Sequence, residues 1–333
     1  MRNTCLLTAA IAIAAAGIAS NGCGSGASLS SVAASTSRQS PTPTPSPTPM
    51  PSPGPTRVYV LSGQSGGLYA FNLPITASST PAVTIPGGGG ADMEFDSTGR
   101  LFVAGGNAVR VFAQPITSGA NPAFTIPTKY SALDVKFDAA GDAFVSETHS
   151  TCPIYCRSYD IGVINAPITS SSTESFFIHV GGFTHGIALD NNGDLLAAFN
   201  SAIGGILPPL TASSTVSFFF PRQIHRSWMY PVSDLAFDGS GNLFAAAGQD
   251  SAGSAGIYVF RPPFSASTTR SFVIRAGTAV QVALHGDLYA IDGYSNYGGL
   301  SVFTPPFSGS STPVVTLSLA ALGIQAGDIA VGP

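Results

Sequence analysis

Charge is what this chain has least of. Among 333 residues only 9% are Asp, Glu, Lys or Arg, against about 25% in an ordinary soluble domain. Two lysines occur, Lys129 and Lys136, and three glutamates, Glu94, Glu147 and Glu174. Phosphate binding needs clustered Lys and Arg, so this balance excludes a nucleic-acid partner. It equally excludes a polybasic membrane-surface protein. There is one tryptophan and there are four cysteines. Past residue 57 no helical periodicity of useful length appears, and no later apolar run is long enough to span a bilayer. No phosphate loop and no dinucleotide fingerprint occur. Gly63 to Gly67, GQSGG, fits the loose serine-nucleophile pattern G-x-S-x-G with Ser65 at its centre, but no helical periodicity follows it, and that pattern needs a strand-turn-helix context. What is plentiful is glycine (38), proline (26) and a 44% hydrophobic content, enough for a packed core.

Residues 1–23 read as an export signal. Arg2 supplies the positive start, and an apolar run from Cys5 to Ala19 follows, too short for a comfortable membrane span. The segment Ser20-Asn21-Gly22-Cys23 resembles the lipobox of bacterial lipoproteins, which implies a lipid on Cys23, export and a place in the bacterial cell envelope. Ordinary cleavage after Ala19 is the alternative. Residues 24–56 form a linker. Its first part is Gly, Ala, Ser and Thr with too little bulk to fold. Its second part, residues 41–56, alternates proline with small residues and predicts an extended spacer of about 50 Å.

The third region, 57–333, is repetitive. One phrase recurs six times, as LPITASSTP (73–81), QPITSGANP (114–122), APITSSSTE (166–174), PPLTASSTV (208–216), PPFSASTTR (262–270) and PPFSGSSTP (305–313). A second, interleaved phrase appears as FDSTGRLFVA (95–104), FDAAGDAFVS (137–146), LDNNGDLLAA (189–198) and FDGSGNLFAA (237–246), with a shortened copy at 284–291. D-x-x-G between apolar runs is a turn signal: Asp bonds the backbone ahead of it and Gly accepts positive φ. Each repeat of about 46 residues thus supplies four short strands, A to D. The region opens at RVYVLSG, which matches strand B, and closes at GDIAVGP (327–333), which matches strand A. The strand missing at the start is the spare one at the end, as ring closure requires. The expected fold is all-β: a six-bladed β-propeller of four antiparallel strands per blade, closed by the C-terminal strand joining the N-terminal blade. A β-solenoid is the alternative. THGIALDNNGDLLAAF and SDLAFDGSGNLFAAAG resemble NHL-type propeller repeats, a resemblance that covers 57–333 and implies fold more than function.

In such a propeller the D–A and B–C loops share one face, and here they hold the irregular material. Candidate binding residues on that face are Tyr130, His149, Tyr155, Arg157, Tyr159, His185, Arg222, His225, Arg226, Trp228, Tyr230, Tyr294 and Tyr297. Cys152 and Cys156 read as a disulfide. Four residues before the turn Asp of each A strand stand Asp92, Asp134, Gly186 and Asp234, with Gln281 and Asp328 at the aligned positions. This polar ring at the channel mouth reads either as a divalent cation site or as a set of bonds from each Asp to the neighbouring blade. His149, His185 and His225 are a possible zinc triad. Six-bladed lactonases use Glu, Asn and Asp around a metal; Glu94, Asn200 and Asp250 match that set incompletely. The expectation is therefore a monomeric, lipid-anchored, non-catalytic binding module for a glycan, peptide or protein, with no cofactor and no membrane contact beyond the lipid. The alternative is a metal-dependent hydrolase or lyase of the six-bladed class.

Overall fold

The computed structural model describes residues 56–62, 66–150, 157–182, 184–199, 202–220, 232–247, 255–277, 279–292 and 298–333, with 150, 157 and 280 described by backbone alone. It contains six four-stranded antiparallel sheets. Blade 1 joins Ala326–Gly332 to Arg57–Ser62, Leu68–Asn72 and Val83–Ile85. Blades 2 to 6 follow in chain order, with innermost strands Asp92–Phe95, Ser131–Phe137, Thr184–Leu189, Val232–Phe237 and Ala279–His285. These inner strands pack against one another around the ring.

Closure is as the ends of the repeat region predict. Arg57 pairs with Gly332 and Val60 with Ile329. The Tyr59 hydroxyl and the Gln114 side-chain amide each donate to the Pro333 main-chain oxygen, both at 2.7 Å. Four apolar strands leave two apolar faces per blade, so hydrophobic cores lie between blades. There are six, one at each junction: Tyr59, Leu61, Met93 and Val103 belong to the core between blades 1 and 2, and Val58, Val60, Tyr289 and Ile291 to that between blades 6 and 1.

The turn phrases behave as local chemistry dictates. Asp96, Asp138, Asp190 and Asp238 each accept two backbone N–H bonds from the residues two and four ahead. Gly99, Gly141, Gly193 and Gly241 take φ between 76° and 88°, where a side chain would be strained. In five of the six Pro-x-Thr/Ser phrases the Thr or Ser N–H is capped by the hydroxyl three residues on.

One expectation is corrected. In blade 3, strand B runs to Ser150 and strand C begins at Arg157. Tyr159 does not lie on the open face. It is 2% exposed and packs with Phe144, Ile161 and Leu195 in the core between blades 3 and 4, since its neighbours in the strand alternate inward. Arg157 is placed by its backbone only. Cys23, Cys152, Tyr155, Cys156, Arg222, His225, Arg226, Trp228, Tyr230, Tyr294 and Tyr297 lie outside the described residues.

Candidate functional site

The channel is built in layers, because residues two apart on an inner strand point the same way. In five of the six blades the inner strand shifts register just before the ring position, and such bulges re-aim a side chain. The first layer is the polar ring. Asp92, Asp134, Asp234 and Asp328 are all at most 3% exposed.

Each carboxylate bonds forward to the next blade. Asp328 accepts from the Met93 N–H at 2.7 Å, Asp92 from Val135 at 3.4 Å, Asp134 from Ile187 at 2.6 Å and Asp234 from Val282 at 2.9 Å. Two blades offer no forward carboxylate. Blade 4 has Gly186, and blade 6 has Gln281, whose amide donates instead to the Gly327 carbonyl at 3.0 Å. In the blades after them the inner N–H turns back on its own strand: Leu235 donates to Asp234 at 2.7 Å and Ile329 to Asp328. Four carboxylates thereby satisfy all six inner N–H groups, and an unpaired buried N–H would cost about 1–3 kcal/mol. The blade-to-blade reading of the ring is the one the geometry realises.

Sequence reasoning missed the residue at its centre. Lys136, two beyond Asp134, extends its Nζ to 2.8 Å from Asp134 Oδ1 and 3.0 Å from Asp92 Oδ1, with Glu94 Oε2 at 3.8 Å. The available signal was the alternation along an inner strand, which puts 134 and 136 on one face. Burial opposes the ammonium charge, but the carboxylates of Asp134, Asp92, Glu94 and Asp234 outweigh it and hold Lys136 well above its ordinary pKa. One ammonium does not balance the ring. Burial, with the charges of Asp134 and Asp328, pushes Asp92 well above the carboxylate range. Burial drives Asp328 the same way, and Asp234 is raised to about 7 against the pull of Lys136. Glu94 is raised by burial too; it is 36% exposed, but to a lumen walled by protein.

The second layer holds Glu94 and Lys136 beside four alanines, Ala188, Ala236, Ala283 and Ala330. Together with Asp234 they line a cavity of about 290 Å³ on the turn side of the ring.

A second cluster sits between blades 2 and 3 at the loop face. Glu147 is fully buried on strand B, opposite Asp160 on strand C, and Glu174 reaches it from the approach to strand D. Gly162 has no side chain to fill the space where Glu147 Oε1 and Glu174 Oε1 lie. Their outer oxygens accept the Tyr130 and Lys129 N–H groups, each at 2.9 Å. Burial and the facing Glu174 carboxyl raise Glu147 to about 9, so the pair shares a proton at neutral pH. Next to it, Asp160 accepts or shares a bond with His179 Nδ1 at 2.7 Å and has His149 Nδ1 at 3.6 Å. The His149 ring stacks on Tyr130 at 3.8 Å, and the Lys129 ammonium stands 4.9 Å from the Tyr130 ring and 4.7 Å from that of Phe177.

Of the sequence candidates, Tyr130 and His149 are thus brought together, and the five ring residues meet in the channel. His185 lies on the inner strand of blade 4, half-buried. His149 has Asp160 Oδ2 at 3.6 Å from its Nδ1 and stacks on Tyr130; His225, the third member of the zinc triad read from the sequence, lies outside the described residues. The one trio of metal-capable groups among them is Asp92, Asp134 and Asp234, and Lys136 stands in it. Asn200 and Asp250, the partners the lactonase comparison asks for, lie outside the described residues.

No family model matches the chain, and no curated protein does. Solved structures match over most of its length. A protein of unknown function from Bacteroides caccae is 12% identical with a TM-score of 0.57, over 84% of this chain and 99% of its own. A protein from Lactobacillus plantarum is 11% identical with a TM-score of 0.56 and the same coverage. A functionally unknown protein from Desulfotomaculum acetoxidans is 15% identical with a TM-score of 0.52, over 83% and 86%. At such identities the likeness is one of fold. Among the described residues no helix is long and apolar enough to cross a membrane.

Proposed function

We propose that the chain is a non-catalytic binding module of the cell envelope: an exported, Cys23-anchored, NHL-type propeller that takes a glycan, peptide or protein on its loop face. The observation that carries this reading is the state of the channel carboxylates. Every ring Asp accepts a backbone N–H from the next blade, and the Lys136 ammonium stands between Asp92 and Asp134. A metal held by the Asp ring would need those oxygens open, since calcium takes six or more ligands. Here they are engaged, and the metal's place is held by a tethered cation. The loop face supports the binding reading from the other side. Tyr130, stacked on His149 beneath the Lys129 ammonium, is the kind of rigid aromatic and charged surface that anchors interfaces.

The test is binding of the full chain to glycan and peptide arrays, with and without a chelator. Binding that survives the chelator and falls at least tenfold in Tyr130→Ala and Trp228→Ala is the expected result. A stoichiometric divalent metal that is lost in Asp234→Asn, together with turnover of a lactone, would overturn it.

A further inference from the structure

We propose a second, separate site: the channel cavity on the turn side of the Asp ring binds a small primary ammonium compound with a short apolar body. The cavity holds about 290 Å³, the lower end of the range for small-molecule pockets and far more than a bare ion needs. Its floor is polar, with Asp234 and, beside it, Lys136. Its wall is the four-alanine layer, interrupted by Glu94. Beyond that layer, six half-buried apolar residues line it towards the D-x-x-G turns: Phe95, Phe137, Leu189, Phe237, Leu284 and Val331. The result is an apolar collar around an acidic base.

Charge decides the ligand's polar end. Five carboxyl groups, those of Asp92, Asp134, Asp234, Asp328 and Glu94, stand around a single ammonium that Asp92 and Asp134 already hold; burial keeps several of them protonated, so a second cation can take the place of a proton, while an anion finds no free partner. Glu94 is the receptive group. Its Oε1 accepts its neighbour Phe95 N–H at 3.0 Å, while Oε2 has Lys136 Nζ no nearer than 3.8 Å, outside hydrogen-bond reach. A hard divalent cation is poorly served, because Glu94 and Asp234 are the only lining residues with side-chain oxygens and such ions demand a full oxygen shell. An ammonium needs only up to three acceptors, and its carbon body lies against the collar. This site does not depend on the loop-face reading, since it opens at the opposite end of the channel.

The experiment titrates the full chain with benzylamine, benzyl alcohol, benzoate and calcium chloride by calorimetry and thermal shift. The expected result is one benzylammonium per chain, with no saturable heat from the alcohol or benzoate. Glu94→Gln should weaken it at least tenfold, Ala236→Leu should abolish it by filling the cavity, and Trp228→Ala should leave it unchanged. Equal binding of benzyl alcohol, no amine binding up to millimolar concentration, or calcium displacing the amine would each overturn the proposal. If Ala236→Leu fails to fold, Glu94→Gln and the ligand series decide the matter alone.

Discussion

Glu147 and Glu174 are a carboxyl pair in a chain that has only three glutamates, and their shared proton links stability to pH. A carboxyl whose folded pKa is raised stabilises the fold below its unfolded pKa and loses that contribution as pH rises through the folded value. For Glu147 the window runs from 4.5 to about 9, and for Asp234 from 3.8 to about 7. The melting temperature of the wild-type chain should therefore fall by several degrees between about pH 6 and pH 9.5. Glu147→Gln keeps the shape of the protonated form, with its amide donating to Glu174 and its oxygen accepting from Tyr130. It should remove the upper part of that fall; differential scanning calorimetry across pH reads this, and an unchanged slope would speak against the shared proton. Lys136→Met strips the ring of its counter-ion. Breaking a buried ion pair from one side costs about 3–5 kcal/mol, or roughly 10 °C in a domain of this size; a melting temperature within 2 °C of wild type would rule out the central role of Lys136. Neither feature was legible as a pair in the sequence. Lys136 becomes informative only once its strand is known to be innermost, and Glu147 meets Glu174 only through the register of three strands. The ring positions were legible because they recur at a fixed offset from the turn Asp.

At the scale of elements, the turns follow from short-range rules and were readable as they stand. An Asp that caps two N–H groups and a glycine at positive φ need no tertiary information. The inner strands are different, because their spacing depends on a neighbour. Gly186 stands at the ring position of blade 4, where a Cβ would come within 2.7 Å of the Asp234 Cα and 3.0 Å of the Ser233 carbonyl. The two strands touch through backbone there, and no flexible side chain can yield. Gly186→Ala should destabilise by about 2 kcal/mol or more. Gly239→Ala, on a turn with nothing within 4 Å of the added carbon, should stay within about 0.5 kcal/mol. Urea midpoints of the two variants make the comparison, and equal midpoints would refute the close approach. The long irregular loops carried no such readable rule. Tyr159 was misplaced because a tyrosine beside a long connection looks like a surface residue until strand C is known to begin at Arg157.

At the scale of the molecule, closure was the most legible property, since matching ends are a statement about topology and not about any one contact. The six interblade cores then follow from strands that are apolar on both sides. The carboxylate bonds of the ring all run in one rotational sense, and they are interrupted twice. Blades 1 to 4 are tied in series through Asp328, Asp92 and Asp134, and blades 5 and 6 through Asp234. Between blades 4 and 5, and between 6 and 1, the inner N–H is satisfied within its own strand. Parting the disc at those two junctions breaks no ring carboxylate bond, whereas parting it at any other breaks at least one. The torus is mechanically a long crescent and a short one meeting at two hinges, and slow breathing should be concentrated there. Native-state hydrogen exchange should find the amides of Leu235 and Ile329 opening at lower free energy than those of Met93, Ile187 and Val282.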